Sequence, residues 1–256
     1  RGGGERMYRL IWFQHIHKAA GTLVVNLAMA NGEILYPNNA NGNPLDEEGN
    51  RIQLWNFNGQ ELLSFVDKCE RLGVTFVATE HGSPDFQILH DDDRITLLTI
   101  LRDPKERAIS NFNHAYYSEY TSGKNLSEFL IEGRFFMSDN HYVRIFSRNE
   151  QLPLSRLSSE DLEKALTNLS LFDIVLRISH SDIVGSLTTE LSWSAPPVDM
   201  HTTFRDPWKI WNMIKKARVS KLVSYIRGIP APGDPLLLDE RYDLDYLLIE
   251  KLFDSQ

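Results

Sequence analysis

The chain has 256 residues and a single cysteine, Cys69. It can form no intrachain disulfide, and no zinc site built on cysteine thiolates is possible. Cys69 falls in Leu62–Leu72, which reads as a helix, so the thiol is expected to be a small buried apolar group. No apolar run approaches the ~20 residues a membrane span needs. Positive charge is in deficit, with 27 Lys and Arg against 35 Asp and Glu, a net charge of −8 and a pI near 5.5. Proteins that live on nucleic acid or on an anionic membrane normally carry the opposite sign, so the bulk charge argues against both partners. No signal-peptide pattern opens the chain. Arg1–Gly4 reads as the start of a flexible lead-in over 1–7. A cytoplasmic location is expected, and two sequons, Asn125-Leu126-Ser127 and Asn168-Leu169-Ser170, keep the secretory lumen as the alternative.

What is present is ample core material: 42% apolar and 11% aromatic residues. Tyr8–Ile16, Val74–Thr79, Ile95–Leu101 and Phe172–Ile178 are short apolar runs rich in β-formers, the pattern of buried parallel strands. Between them lie helical patterns at Thr22–Ala30, Gly59–Leu72, Pro104 to about Ser118, Ser159–Leu169 with Ser159 as N-cap, and Ser181–Leu191. Asp239–Phe253 reads as a closing helix. Asn31–Asn58 and Pro196–Trp208 read as irregular. There is no internal repeat and no linker that forces a split, so a single domain over 8–256 is expected. Alternating strands and helices predict an α/β, three-layer fold: a central, mostly parallel sheet flanked by helices on both faces. Ligands of such sheets sit outside the carboxyl ends of the strands. The residues to search follow positions 16, 79, 101 and 178.

After the first strand comes His15-Ile16-His17-Lys18-Ala19-Ala20-Gly21-Thr22 and then a helix. Small residues permit a tight turn, and the free amides and dipole of a helix start favour an anion. Lys18 adds a mobile charge and Thr22 a hydroxyl. The spacing is not that of a Walker A loop, which needs Lys directly after the last Gly. An ordinary turn with an exposed lysine is the alternative. His15 and His17 share a strand face, but no third ligand is in register, so one packed and one loop histidine are expected rather than a metal pair. Asp91-Asp92-Asp93 reads as a solvated turn. No metal is expected. After the third strand, Arg102 offers a planar fork suited to a phosphate and Ser110 a hydroxyl further along the helix. A structural salt bridge of Arg102 with Asp103 or Glu106 is the alternative.

Together, His15–Thr22 and Leu101–His114 resemble the two donor-binding motifs of the PAPS-dependent sulfotransferases, PAPS being 3′-phosphoadenosine 5′-phosphosulfate. The nearest likeness is to the heparan sulfate 2-O-sulfotransferase-like branch and its bacterial small-molecule relatives. Asp139–Phe146, Phe172–Trp193 and Leu244–Leu248 continue the likeness, so it runs from about residue 10 to 253. The resemblance implies a P-loop-like fold. It also implies that His17, Lys18, Ala19, Ala20, Gly21 and Thr22 hold the 5′-phosphosulfate, while Arg102 and Ser110 hold the 3′-phosphate. Arg205, in His201–Arg205, is carried over as a contact from a basic loop over the donor. Two departures stand out: His17 replaces the family's Pro, and Ala19-Ala20 replaces Thr-Gly, removing one donor and some backbone freedom.

Glu80 and His81 follow the second strand, where the 2-O branch has its catalytic histidine. A histidine near its ordinary pKa can take the acceptor's proton. Glu80 is the alternative base, or it orients His81, although neighbouring strand residues point to opposite faces. The implied activity is in-line sulfuryl transfer to a hydroxyl or amine, with Lys18 stabilising developing charge and adenosine 3′,5′-bisphosphate as product. Trp55, Phe57, Tyr116, Tyr117, Tyr120, Phe135, Phe136, Trp208 and Trp211 are candidate walls of an acceptor pocket. The acidic balance favours a small or weakly charged acceptor, a glycan included. The competing readings are a nucleotide kinase, which needs Lys after Gly and an acidic Mg²⁺ ligand, and a non-catalytic nucleotide-binding module.

Overall fold

The computed structural model describes residues 8–151, 153–178, 182–194, 196 and 206–254. They divide into two compact units, the first built from 1–102, 142–198 and 247–256, the second from 103–141 and 199–246.

The first unit is laid out on β1 (Leu10–Gln14), which is followed by α1 (Gly21–Ala30). A short hairpin comes next, β2 (Asn39–Ala40) with β3 (Asn43–Pro44), then a 3-10 turn at Leu54–Asn56 and α2 (Gly59–Leu72). The unit continues with β4 (Phe76–Thr79), α3 (Phe86–His90) and β5 (Ile95–Leu101). All four strands of the main sheet, with the later β6 (Ile174–Arg177), run parallel in the order β4-β1-β5-β6. The chain places β4 on one side of β1 and β5 on the other, so the order reverses at β1. That makes the carboxyl edge at β1 the crevice where open α/β sheets bind ligands.

Between β5 and β6 the chain forms α4 (Pro104–Ser118), α5 (Leu126–Ile131), α6 (His141–Ser147) and α7 (Ser159–Leu169), and after β6 it forms α8 (Ile183–Leu191). Period-two alternation along the strands decides which side chain meets which layer. Ile11 and Phe13 of β1, Phe76 and Ala78 of β4, and Leu98 and Ile100 of β5 meet Val24, Val25 and Ala28 of α1 and Leu187 and Leu191 of α8. On the opposite face, Trp12 stands edge-on to Phe65 of α2, and Phe86 of α3 packs with Phe146 of α6 and Phe172. Helices thus cover both faces. Each such side chain contributes about 1.5–3 kcal/mol when fully buried.

The strong local signals are where the elements start and stop. The Asn58 carboxamide accepts from Glu61 N, the Glu61 carboxylate accepts from Asn58 N, and Gly73 closes α2 at φ 69. Asp103 caps α4 with Pro104 behind it, as the Pro104 start predicts. The expected cap of α7 is one residue out: Ser158, not Ser159, donates through its backbone N–H and its hydroxyl to Asp161. Cys69 is buried, and burial pushes its thiol up to about 12, with Lys68 opposing.

The second unit holds α4, α5, α9 (Pro207–Lys215), α10 (Val219–Ile226), a 3-10 turn at Pro235–Leu238 and most of α11 (Asp243–Ile249). Its core joins Ala108, Phe112 and Ala115 of α4 to Leu126 and Phe129 of α5, Leu238 and Tyr242. The closing helix expected over Asp239–Phe253 begins four residues later, at Asp243. Only Asp243–Ile249 is α-helical, and a π-turn follows over Glu250–Asp254. The Asn140 carboxamide supplies its cap, accepting from Leu244 N at 2.9 Å and Asp245 N at 3.3 Å.

Candidate active site

The turn after β1 is shaped by sterics. Lys18 and Ala20 both adopt left-handed backbone, at φ 66 and φ 60, at about 1–2 kcal/mol for a residue with a Cβ. Ala20 is therefore in a conformation that glycine adopts more readily, yet it takes it. Ala20 is also the N-cap of α1, and it has no side chain that can cap. The first amides of α1 keep their donor capacity, and left-handed residues of this kind curl a backbone into an anion-binding concavity. Lys18 is half-buried and Thr22 exposed. Gly21 is required by close approach: a Cβ there would lie 1.9 Å from Nε2 of His15. His15 is buried and stacked on Phe13. Burial, against the pull of Glu80, lowers its pKa to about 4, with His17, His81 and Lys18 adding to the fall. The expected packed histidine is thus His15, and the half-exposed His17 lies in the turn.

The β4 end delivers a carboxylate to the same place. Nδ1 of His17 lies 2.6 Å from Oε1 of Glu80, and Nδ1 of His15 lies 3.6 Å from the same oxygen. Burial alone would raise the Glu80 pKa. The His17 hydrogen bond and the attraction of His15, His17 and His81 outweigh it and hold the carboxyl well below the usual carboxylate range. Glu80 therefore positions His17. The pairing with His81 weighed from sequence is not the hydrogen bond it makes.

His81 is half-buried and its Nε2 has no hydrogen-bond partner. Burial lowers its pKa, Arg51 and His17 add to the fall, and Glu80 opposes it. Its loop is held from both sides. The buried Gln14 carboxamide accepts from the Thr79 hydroxyl at 2.9 Å and donates to Gly82 O at 3.2 Å, while Trp12 Nε1 donates to the Thr79 hydroxyl. Asn43 Oδ1 accepts from Glu80 N, and Trp55 lies against Gly82, where a Cβ would come within 2.3 Å of its ring. Of the expected aromatic walls, Trp55 is the one set beside the His81 loop in this unit. Sequence reading missed Gln14, Asn43 and Arg51, whose polar groups reach across more than 25 residues of chain and leave no local pattern.

At the β5 end, Tyr142 of α6 fixes the backbone of Arg102: its hydroxyl donates to Arg102 O at 2.7 Å and accepts from Arg102 N at 3.3 Å. Neighbouring strands are about 4.8 Å apart. The turns after β4, β1 and β5 therefore bring Glu80, His81, His17, Lys18 and Arg102 onto one sheet edge. Ser110 lies half-buried on α4 in the second unit. Nearby on that helix Arg107 is buried, and both Arg107 and Asn111 donate to Phe136 O. Arg205 lies outside the described residues. No group of three or more His, Cys, Asp or Glu among the described residues is placed to hold a metal ion, and no described helix is long and apolar enough to cross a membrane.

No family model matches the chain, and no curated protein matches it. Among solved structures it is similar to retinol dehydratase in complex with androsterone and the inactive cofactor PAP. The identity is 13% and the TM-score 0.35, over 93% of this chain and 69% of that one.

Proposed function

We propose that this chain is a sulfotransferase that moves a sulfuryl group from PAPS to an acceptor hydroxyl or amine. The reading rests on one observation above the others. A helix start without a side-chain cap, bearing Lys18, lies between the histidine–glutamate loop and Arg102 on one sheet edge. The motifs resembling the sulfotransferase family fall on these same residues.

The residues present fit such a donor. By the resemblance, the backbone of His17–Thr22, the Lys18 ammonium and the Thr22 hydroxyl would hold its 5′-phosphosulfate, and Arg102, Ser110 and Arg205 the rest of the donor; the Ala19 amide is already given to Ile16 O at 2.9 Å. The donor supplies an activated sulfuryl group. His81, neutral near pH 7, takes the acceptor's proton as the acceptor oxygen or nitrogen bonds to sulfur. Lys18 and the turn amides receive the charge left on the phosphate oxygen as the sulfur–oxygen bond breaks. Glu80 holds His17 over the turn. A small or weakly charged acceptor suits the acidic chain.

The test is thermal unfolding with adenosine 3′,5′-bisphosphate, without metal, against ATP with Mg²⁺. Ligand at a hundred times its Kd adds about 2.7 kcal/mol, a rise of roughly 5–10 °C at this chain length. Stabilisation by the bisphosphate supports the reading. Stabilisation by ATP–Mg²⁺ alone refutes it.

A further inference from the structure

The second unit carries an exposed surface on which Trp208 and Trp211, candidate acceptor walls from sequence, face water. Residues 207–229 contain six cations, the buried Lys209 and, further out, Lys215, Lys216, Arg218, Lys221 and Arg227, and no Asp or Glu, in a chain where acidic residues outnumber basic ones. The same stretch is the helical pair α9–α10, whose helices contact each other. Each helix leaves an apolar stripe in water. On α9, Trp208 is 56%, Trp211 65% and Ile214 53% exposed, a spacing that places them along one face. On α10, Val219, Val223 and Ile226 repeat at i, i+4 and i+7 and are likewise exposed. The buried faces are separate: Met213 and Tyr225 pack on Tyr117. An amphipathic helix normally turns such stripes inward, so these two are unpartnered within the described residues.

Beside the start of α10 is an open cleft of about 810 Å³, whose lining includes Lys124, Lys216, Arg218 and Lys221, with Glu119 as its one carboxylate. Glu119 pairs with Lys216 and lies 3.7 Å from Arg218. Lys221 stands 4.0 Å over the Tyr116 ring. Burial lowers its pKa, Glu119 opposes, and Arg218 and Lys216 lower it further. The cleft therefore keeps a surplus of positive charge beside the apolar stripes.

We infer that the α9–α10 pair docks on an anionic phospholipid membrane, its tryptophan and aliphatic stripes entering the interface and its cleft cations receiving headgroup phosphates. Three features favour a bilayer over other covers. Exposed tryptophan is the residue type that settles at the membrane–water interface. Cations next to an apolar face are the pattern of interfacial helices. A second copy of this chain would oppose one net-positive surface with another, which Coulomb repulsion disfavours. The acidic bulk of the chain does not cancel this, because screening confines the attraction to charges within about 8 Å of the surface.

The experiment is flotation of the full chain with phosphatidylcholine vesicles, with and without phosphatidylserine, at low and high salt. The chain should float with the phosphatidylserine vesicles, weakly with the neutral ones, and less at high salt. Each cation near such a surface is worth about a fivefold gain in partitioning, so K215E/K216E/R218E should lose about a hundredfold or more. W208S/W211S should lose binding even at low salt. Both variants alter exposed positions, and an unchanged melting temperature shows that they fold. Absence of flotation overturns the inference. So does binding that the charge variant loses and the tryptophan variant keeps, which would mark a site for soluble polyanions. Concentration-dependent dimerisation abolished by W208S/W211S, without flotation, would assign the stripes to a second copy and also overturn it.

Discussion

Nδ1 of His17 lies 2.6 Å from Oε1 of Glu80, which draws a residue of the β1 turn and a residue of the β4 turn into one hydrogen bond. The bond commits the carboxylate to holding an imidazole and leaves His81 as the neighbouring group whose Nε2 is unpartnered. His81→Ala is expected to lower kcat by about 10²–10⁴-fold, the usual worth of a general base, while binding of adenosine 3′,5′-bisphosphate stays near wild type. His81 must be neutral to act, and its pKa lies below the ordinary histidine value. Activity should therefore rise with pH, with the midpoint of the rise below ~6.5. Glu80→Gln should weaken product binding more than it alters this pH profile. If Glu80→Gln abolishes the acid limb while His81→Ala keeps kcat, the base is elsewhere in the His17–Glu80 pair.

Lys18 and Arg102 should divide the work. Lys18→Ala is expected to reduce turnover at least a hundredfold with the fold intact, because in the proposed reaction the ammonium would act on charge that grows during transfer. Arg102→Ala should mainly weaken bisphosphate binding, by about 10–100-fold, as for loss of a charge-assisted hydrogen bond worth about 1.5–3 kcal/mol. Calorimetric titration and initial rates on both variants separate the two effects. Wild-type kinetics in both would remove these side chains from the site.

Gly21 is fixed by the ring of His15. Gly21→Ala places a Cβ 1.9 Å from that ring, and the overpacking should cost about 1–3 kcal/mol. Adding His15→Ala opens the space and should restore part of the stability and of bisphosphate binding. A Gly21→Ala protein as stable as wild type would show that the turn is not held as described.

Ser83, two residues beyond His81, predicts a protonated carboxyl. Its hydroxyl lies 2.7 Å from Ile145 O and also contacts Glu150. One hydroxyl hydrogen cannot serve both, and a carbonyl can only accept, so Glu150 must donate. Burial raises the Glu150 pKa to about 7, with Arg148 opposing, and a hydrogen bond that the carboxyl donates favours keeping its proton. Because the folded pKa exceeds the unfolded one, this group's stabilisation is complete below about pH 4.3 and is lost as pH rises through about 7. Glu150→Gln should flatten that part of the denaturant-midpoint profile and be more stable than wild type near pH 8. An unchanged slope would mean the carboxyl is ionised throughout.

The sequence by itself determined the four strands of the parallel sheet, several of the helices and the places to look. Buried parallel strands must be apolar for five or so residues, and Pro104 or apolar residues at helical spacing mark a helix within a few turns of chain. Ile95–Leu101 and Gly59–Leu72 accordingly fall where the residues put them. The weakest local signals failed: the short α3 and α5 and the pair α9–α10 gave no expectation, and the closing helix starts later than expected, where Asn140, over 100 residues away, caps it. Only the tertiary structure decided the order β4-β1-β5-β6, and with it the meeting of His17 with Glu80 and of Gln14 with the Gly82 carbonyl. Local pattern records what each residue does within its own turn or pleat. Which strand ends become neighbours is set by how whole helices cover the sheet, and the partner of a buried polar group is chosen there.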